Sequence, residues 1–209
     1  NDYVWPRSSN AYAKNKIASL GAGISYEKYI PFGQLDFFRE IEEITASGSE
    51  AVLISLVGQD AVQFNRNFGA LNAHETMIRL SCAIEENALL ASGSVGLKRL
   101  FSSSSYFASL KSEQNSAFKE KYYTLHGDRA PMLNALGQST YEGVQFLKGL
   151  VQTHGQNWSE FDKSHSRPLI YKSVRNARFV SNDEKSSPIY LARADGVMYN
   201  VEKKLAKTI

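Results

Sequence analysis

Apolar positions along this chain recur at two periods, and the switches between them mark out its elements. From Ser8 to Leu20, Ala11, Ile17 and Leu20 fall at helical spacing and run into Gly21 and Gly23, which stop a helix. Gly23 to Pro31 alternates apolar and polar residues at period two and predicts a strand. Asp36 is placed to cap a helix carrying Phe37, Phe38, Ile41 and Ile44, closed near Gly48. Ala51 to Val57 is a continuous apolar run, the pattern of a parallel strand buried on both faces. It ends at Gly58, and Asp60 is positioned to cap the next helix, through Phe64 and Phe68. Thr76 to Leu80 predicts a shorter strand, followed by Ser81-Cys82-Ala83 and a short acidic helix at Glu85 and Glu86. Val95 to Phe101 predicts one more strand. Such alternation predicts an α/β fold with a mostly parallel sheet and crossover helices.

At Phe101 the texture changes. Ser102 to Ser105 reads as a flexible linker. Two helices follow, one from about Ser112 to His126 with Phe118 and Tyr122 on an apolar stripe. The other runs from about Leu136 to His154 with Tyr141, Val144, Leu147 and Val151. The tail predicts strands at Leu169–Tyr171, Ala177–Val180 and Ile189–Arg193. Asp195-Gly196 gives a hairpin turn into Val197-Met198-Tyr199.

Composition adds mainly exclusions. A length of 209 residues, 43% hydrophobic and 22% charged, is that of ordinary globular domains. A net charge of +3 with no Lys/Arg block gives no nucleic-acid face by itself. One cysteine, Cys82, excludes an internal disulfide framework and a Cys-rich zinc site. No apolar run is long enough to span a bilayer. His74, His126, His154 and His165 are scattered without metal spacing, Leu20 to Gly23 follows a helix rather than a strand, and no Gly-x-Ser-x-Gly elbow occurs. The chain reads as a non-enzyme requiring no cofactor.

Binding chemistry points to strand ends. In open α/β sheets the ligand crevice lies beyond the carboxyl ends of the strands. Three such ends are readable: Tyr3 and Trp5, Val57 and Gly58, and Ser81 and Cys82. The opening Asp2-Tyr3-Val4-Trp5-Pro6-Arg7 presents two aromatics on a strand end or loop, before Ser8, Ser9 and Asn10, which can bond the N–H groups of a helix start. Aromatic rings can stack on a planar amide, Gly58 lets backbone approach, and Ser81 or Cys82 can supply a short polar contact. Each has an alternative: core packing for Tyr3 and Trp5, a buried small hydrophobe for Cys82. Glu85 and Glu86 serve either the helix start or an ammonium on the ligand.

Taken in order, "DYVWPRSSN", "YIPFGQLDF", "VLISLVGQD", "CAIEEN", "YFASLKSEQNSAFKEKY", "YEGVQFLKGLVQ" and "LARADG" resemble the amide/urea branch of the type I periplasmic binding proteins. That branch holds urea and short-chain amide receptors and the amidase regulator. Ser173-Val174-Arg175-Asn176 departs from the family's Pro-Glu-Gly-like turn. The resemblance implies a two-lobed α/β protein. Residues 1–101 would form most of the second lobe, and 102–165 a hinge with two helices packing on the first lobe. Residues 166–209 would return to the second lobe, with Arg167-Pro168 as another hinge candidate. The strand before Asn1 and the first half of lobe one would lie outside this chain, whose exposed helix stripes then need that partner. The ligand-contact residues implied are Tyr3, Trp5, Val57, Gly58, Ser81, Cys82 and Glu85. The function implied is a solute-binding protein closing on urea, a short-chain amide or a branched-chain amino acid for an ABC-type permease, in a periplasmic or other extracytoplasmic location. The alternative is a cytoplasmic, amidase-regulator-like sensor controlling a protein partner.

Overall fold

The first helix begins earlier than the apolar pattern predicts. In a computed structural model that describes residues 1–162, 166–181 and 187–205, helix α1 runs from Val4 to Ser19. Trp5 and Pro6 therefore stand in its first turn, where proline is tolerated because the N–H groups lack helical partners anyway. Tyr3 holds the N-cap position without a side-chain cap bond, and Ser8, Ser9 and Asn10 lie inside the helix instead of capping it.

Gly23 to Pro31 is not a strand, although its alternation is physically real. Tyr26 and Lys28 reach one way, to Glu43 (2.8 Å) and Glu40 (3.0 Å) of helix α2, Phe38–Ala46. Glu27 and Tyr29 reach the other way, to Lys14 (2.7 Å) and beneath the Arg7 guanidinium (4.4 Å). The segment is extended, yet its backbone contact with the opening stretch is a single bond, from the Asp2 N–H to the Ile30 carbonyl (2.8 Å). A ladder needs paired neighbours, which side-chain periodicity alone cannot supply. Asp36 is not a cap either. Phe37 precedes α2 without a side-chain cap, and its N–H donates to Asn67 Oδ1 (3.0 Å).

The chain divides into two compact units, Asn1–Ser103 with Ala192–Asn200, and Ser104–Leu191 with Val201–Ile209. In the first, strand β1 (Ala51–Ile54) leads to helix α3 (Gly58–Ala70), strand β2 (Ile78–Ser81), helix α4 (Glu86–Ser92) and strand β3 (Leu100–Ser104). With β6 (Ile189–Asp195) and β7 (Met198–Leu205) these strands form a sheet of order β1-β2-β3-β6-β7. β1, β2 and β3 are parallel, as expected, with Ala51 opposite Ile78 and Leu80 opposite Phe101. The last strand of the series begins at Leu100 rather than Val95. Of the four serines read as a linker, Ser102 to Ser104 instead continue it, with the Ser102 hydroxyl donating to the Ile84 carbonyl (3.0 Å) from a buried position.

One face of the sheet carries Ile54, Arg79, Ser81, Leu100 and Ser102, all buried. Arg79 is wholly buried; its guanidinium stacks on Phe68 of α3 at 4.4 Å and bonds Asn65 Oδ1 (2.7 Å) and the carbonyls of Gly96 and Lys98. These acceptors are neutral, and desolvation lowers its pKa to about 10. Gly69 and Gly96 permit this closure, since a Cβ on Gly96 would fall 2.2 Å from the Gly69 Cα. The opposite face is open. Ala51 is exposed, and Leu53, Ile78 and Leu80 are 42%, 43% and 38% exposed, so the expected burial of β1 on both faces is not met within this chain. α1 buries only Pro6 and does not cover them.

In the second unit, α5 (Glu113–His126) and α6 (Ala135–His154) fall where their patterns place them. Ser112 caps α5 by accepting from the Asn115 N–H, and Asn134 caps α6 by accepting from the Gly137 N–H. Asn115 is fully buried, bonded to Tyr106 Oη (2.8 Å) and the Leu110 carbonyl (2.7 Å). Strands β4 (Ile170–Ser173) and β5 (Ala177–Val180) pair as an antiparallel hairpin, with Asn176 left-handed at its turn. The Asp195-Gly196 turn connects β6 to β7 as predicted. On α6, Val144, Leu147 and Val151 remain exposed.

Two outcomes follow from these contacts. Arg79→Met leaves three acceptors without their donor and should lower stability of the first unit by about 3 kcal/mol. Arg79→Lys should recover less than half of that loss, because an ammonium cannot fork across all three; urea titrations compare them. Ser112→Ala and Asn134→Ala should each cost about 1 kcal/mol, read as faster hydrogen exchange confined to α5 and α6 respectively.

Candidate functional site

β1 and β2 end side by side, with Ile54 opposite Ser81, and Ser102 of β3 comes next. Val57 and Gly58 leave the first of these ends; Ser81, Cys82 and Glu85 leave the second. The opening stretch joins the same edge through Asn1, which is only 4% exposed. Its backbone nitrogen donates to the Ser55 carbonyl (2.8 Å) and its Oδ1 accepts from the Val57 N–H (2.9 Å). Ser55 Oγ donates in turn to Asn10 of α1 (2.7 Å). Val57, Gly58, Ser81, Cys82 and Glu85 thus stand at or just beyond the carboxyl ends of parallel strands β1 and β2, where such sheets bind ligands, and Tyr3 and Trp5 follow Asn1 into α1.

Their individual environments differ. Tyr3 and Trp5 are half-buried and lie outside the core, their ring centroids 6.2 Å apart and tilted by 34°. Phe32, which the sequence reading passed over, adds a third ring 5.3 Å from Tyr3. Gly58 opens α3 with a φ of 58°, and the space a Cβ would take there is empty, so this edge presents bare backbone. Ser81 is fully buried, and its hydroxyl donates to the Ile54 carbonyl (3.1 Å) while accepting from the Ala83 N–H (3.1 Å). That hydroxyl ties the two strand ends together. Cys82 is exposed as a residue, against the buried-hydrophobe alternative, though desolvation pushes its thiol above the usual value and keeps it protonated at neutral pH. Glu85 precedes α4 and its carbonyl accepts from the Leu89 N–H (2.9 Å). The loop from Cys82 to Glu85 is held by the Ile84 carbonyl, which accepts from Ser102 Oγ (3.0 Å) and Tyr199 Oη (2.9 Å).

Asp60 does not cap α3. Val57 holds the N-cap position, and the buried Asp60 carboxylate accepts instead from Asn1 Nδ2 (2.5 Å) and from the Gly33 N–H (3.1 and 3.2 Å). Gly33 has a φ of 84°, a conformation that side chains disfavour. No spacing in the sequence announces this link, since Asn1 and Asp60 lie 59 positions apart.

The second unit has a cavity of about 200 Å³ between α6 and the β4–β5 hairpin, lined by Phe146, Tyr171 and Phe179. Its polar groups are paired with one another: Glu142 accepts from Ser173 Oγ and faces Arg175 Nε at 3.2 Å. Burial pushes the Tyr171 hydroxyl up to about 12. The departing turn at Ser173–Asn176 thus staples the hairpin to α6. Among the described residues no group of His, Cys, Asp and Glu could hold a metal, and no helix is long and apolar enough to cross a membrane. His165 lies outside the described residues.

Comparison with known proteins bears on the fold. No curated protein matches the chain in sequence. Solved structures match its fold. A solute-binding protein of an ABC transporter from Rhodopseudomonas palustris, in complex with p-hydroxybenzoic acid, superposes with a TM-score of 0.76 at 17% identity, covering 98% of this chain and 57% of its own. Another from the same species, in complex with benzoate, gives 0.79 at 14% identity, covering 97% and 56%. A leucine-binding protein from Thermotoga maritima gives 0.69 at 15% identity, covering 94% and 55%. The chain thus spans a little over half the length of these structures. Residues 1–195 match the profile of a family described as periplasmic binding protein, and the chain belongs to that family.

Proposed function

We propose that this chain is the ligand-holding part of a solute-binding protein that delivers a small, planar, polar solute to an ABC-type permease, in a periplasmic or other extracytoplasmic location. Urea, short-chain amides and branched-chain amino acids are the solutes in order of preference, the order the amide/urea resemblance implies. The observation that carries the reading is the half-buried Tyr3–Trp5 pair, which follows directly on Asn1, the residue that bonds the Val57 N–H beyond the end of β1. Half-buried rings there offer stacking faces, and an amide needs only a few directed polar contacts besides. Residues 1–101 belong to the second lobe of the complete protein in this reading. The helices within 102–165 seat on the first, the chain returns to the second within 166–209, and hinge closure traps the solute.

A second class is favoured by specific observations. Two of the structural neighbours hold p-hydroxybenzoic acid and benzoate, and the Tyr3–Phe32 contact adds a third ring to the wall. Aromatic carboxylates therefore join the panel to be tested.

Trp5→Ala in the complete protein should weaken solute binding by about 1–3 kcal/mol, against under 0.5 for a surface position. Calorimetric titration with urea, acetamide, leucine and benzoate reads this directly. Unchanged affinity removes Trp5 from the site, and tight binding of only anionic sugars or peptides overturns the ligand class. If the first lobe covers the α6 stripe, Leu147→Asp should destabilise the complete protein by about 2 kcal/mol, because it places a charge in an apolar contact. A midpoint of urea unfolding that does not move would show that the stripe faces water.

A further inference from the structure

Phe32 is a large apolar side chain left 60% exposed, yet the loop that bears it is held in place. Its ring lies 5.3 Å from Tyr3, tilted by 35°. The next residue, Gly33, adopts a φ of 84° and gives its N–H to both oxygens of Asp60. The same carboxylate accepts from Asn1 Nδ2, two residues before Tyr3. One buried side chain thus holds the Asn1 side-chain amide on one side of the Tyr3–Phe32 contact and the Gly33 backbone on the other. A carboxylate that is 3% exposed is costly unless its hydrogen bonds are made, so both attachments are strongly enforced. Its place in the first turn of α3 favours the negative charge further.

We infer that Asp60 is a positioning residue that sets Phe32 against Tyr3 as the third ring of the solute wall, and that this wall favours the ring-bearing second class named above over the small amides that the resemblance puts first. The inference rests on the edge site proposed above. Its selectivity follows from dimensions. Centroids 5.3 and 6.2 Å apart can be bridged by a six-membered ring lying across them, whereas urea or acetamide covers one ring at a time. Offset or tilted aromatic contacts add to the burial they accompany, so the ring-bearing solute gains at each additional face.

The test uses the complete protein with a single fluorinated phenylalanine at position 32, and benzamide and acetamide as solutes. The fluorine resonance of position 32 should carry the ring-current shift of Tyr3 and lose it in Tyr3→Ala. Asp60→Asn, which replaces the charged two-oxygen acceptor with one neutral oxygen and turns an NH2 toward one of the two donors, should move the resonance most of the way to the Tyr3→Ala position. Combining it with Asn1→Asp should restore the shift, because the new amide at 60 donates to the new carboxylate at 1 and still accepts from Gly33. A resonance unmoved in Asp60→Asn overturns the positioning role. Should that variant not fold, Asn1→Ala, which releases only the Tyr3 side, must move the resonance for the role to stand. In binding, Phe32→Ala should weaken benzamide about tenfold and acetamide less than about twofold. Equal effects on both, or none, overturn the ring preference. Failure of the unaltered protein to bind either solute overturns that preference and the proposed ligand class together, while the resonance still decides the role of Asp60.

Discussion

A buried carboxylate can stay in a protein only where donors come to it, and Asp60 draws two distant parts of the chain to the same point. Asn1 brings the entry to α1, and Gly33 brings the loop that follows the extended Gly23–Pro31 segment. Both are thereby set beside the end of β1, where Asn1 also bonds Ser55 and Val57. The three rings at the sheet edge owe their proximity to this node more than to each other. Tilted ring contacts are weak and tolerate many geometries, whereas directed bonds to a charged acceptor do not.

The rest of the edge is fixed by bonds that close on backbone. Ser81 joins the ends of β1 and β2, and the Ile84 carbonyl receives both Ser102 and Tyr199. Loops with few internal bonds of their own become rigid when their carbonyls and N–H groups are taken by buried side chains of neighbouring strands. The edge therefore presents a preformed surface, and a preformed surface keeps the ordering cost of any binding event small.

Elements whose signals are local were legible in the sequence. The apolar stripes of Phe118 and Tyr122, and of Tyr141, Val144, Leu147 and Val151, announce α5 and α6, and Asp195-Gly196 announces its hairpin. Where the deciding partner is remote, the reading stopped short. Tyr26 to Tyr29 alternate as a strand does, but strand pairing depends on a neighbour that periodicity cannot see. Ser102 to Ser105 resemble a linker until the carbonyl of Ile84, 18 positions away, satisfies a buried hydroxyl. The same division runs through the site. Tyr3 and Trp5 could be named as candidates from their own spacing and from the motif around them, and their rings do lie 6.2 Å apart. The grouping of Asn1, Asp60 and Phe32 was not, because it exists only once the sheet has formed.

Arg79 carries one more consequence. Its guanidinium is surrounded by an amide oxygen, two carbonyls and an aromatic face, all dipoles or quadrupoles fixed by the fold. Dissolved ions weaken attraction between exposed charges over distances near the Debye length, but they have no route to partners sealed around a wholly buried group. The centre of this unit is thus indifferent to ionic strength.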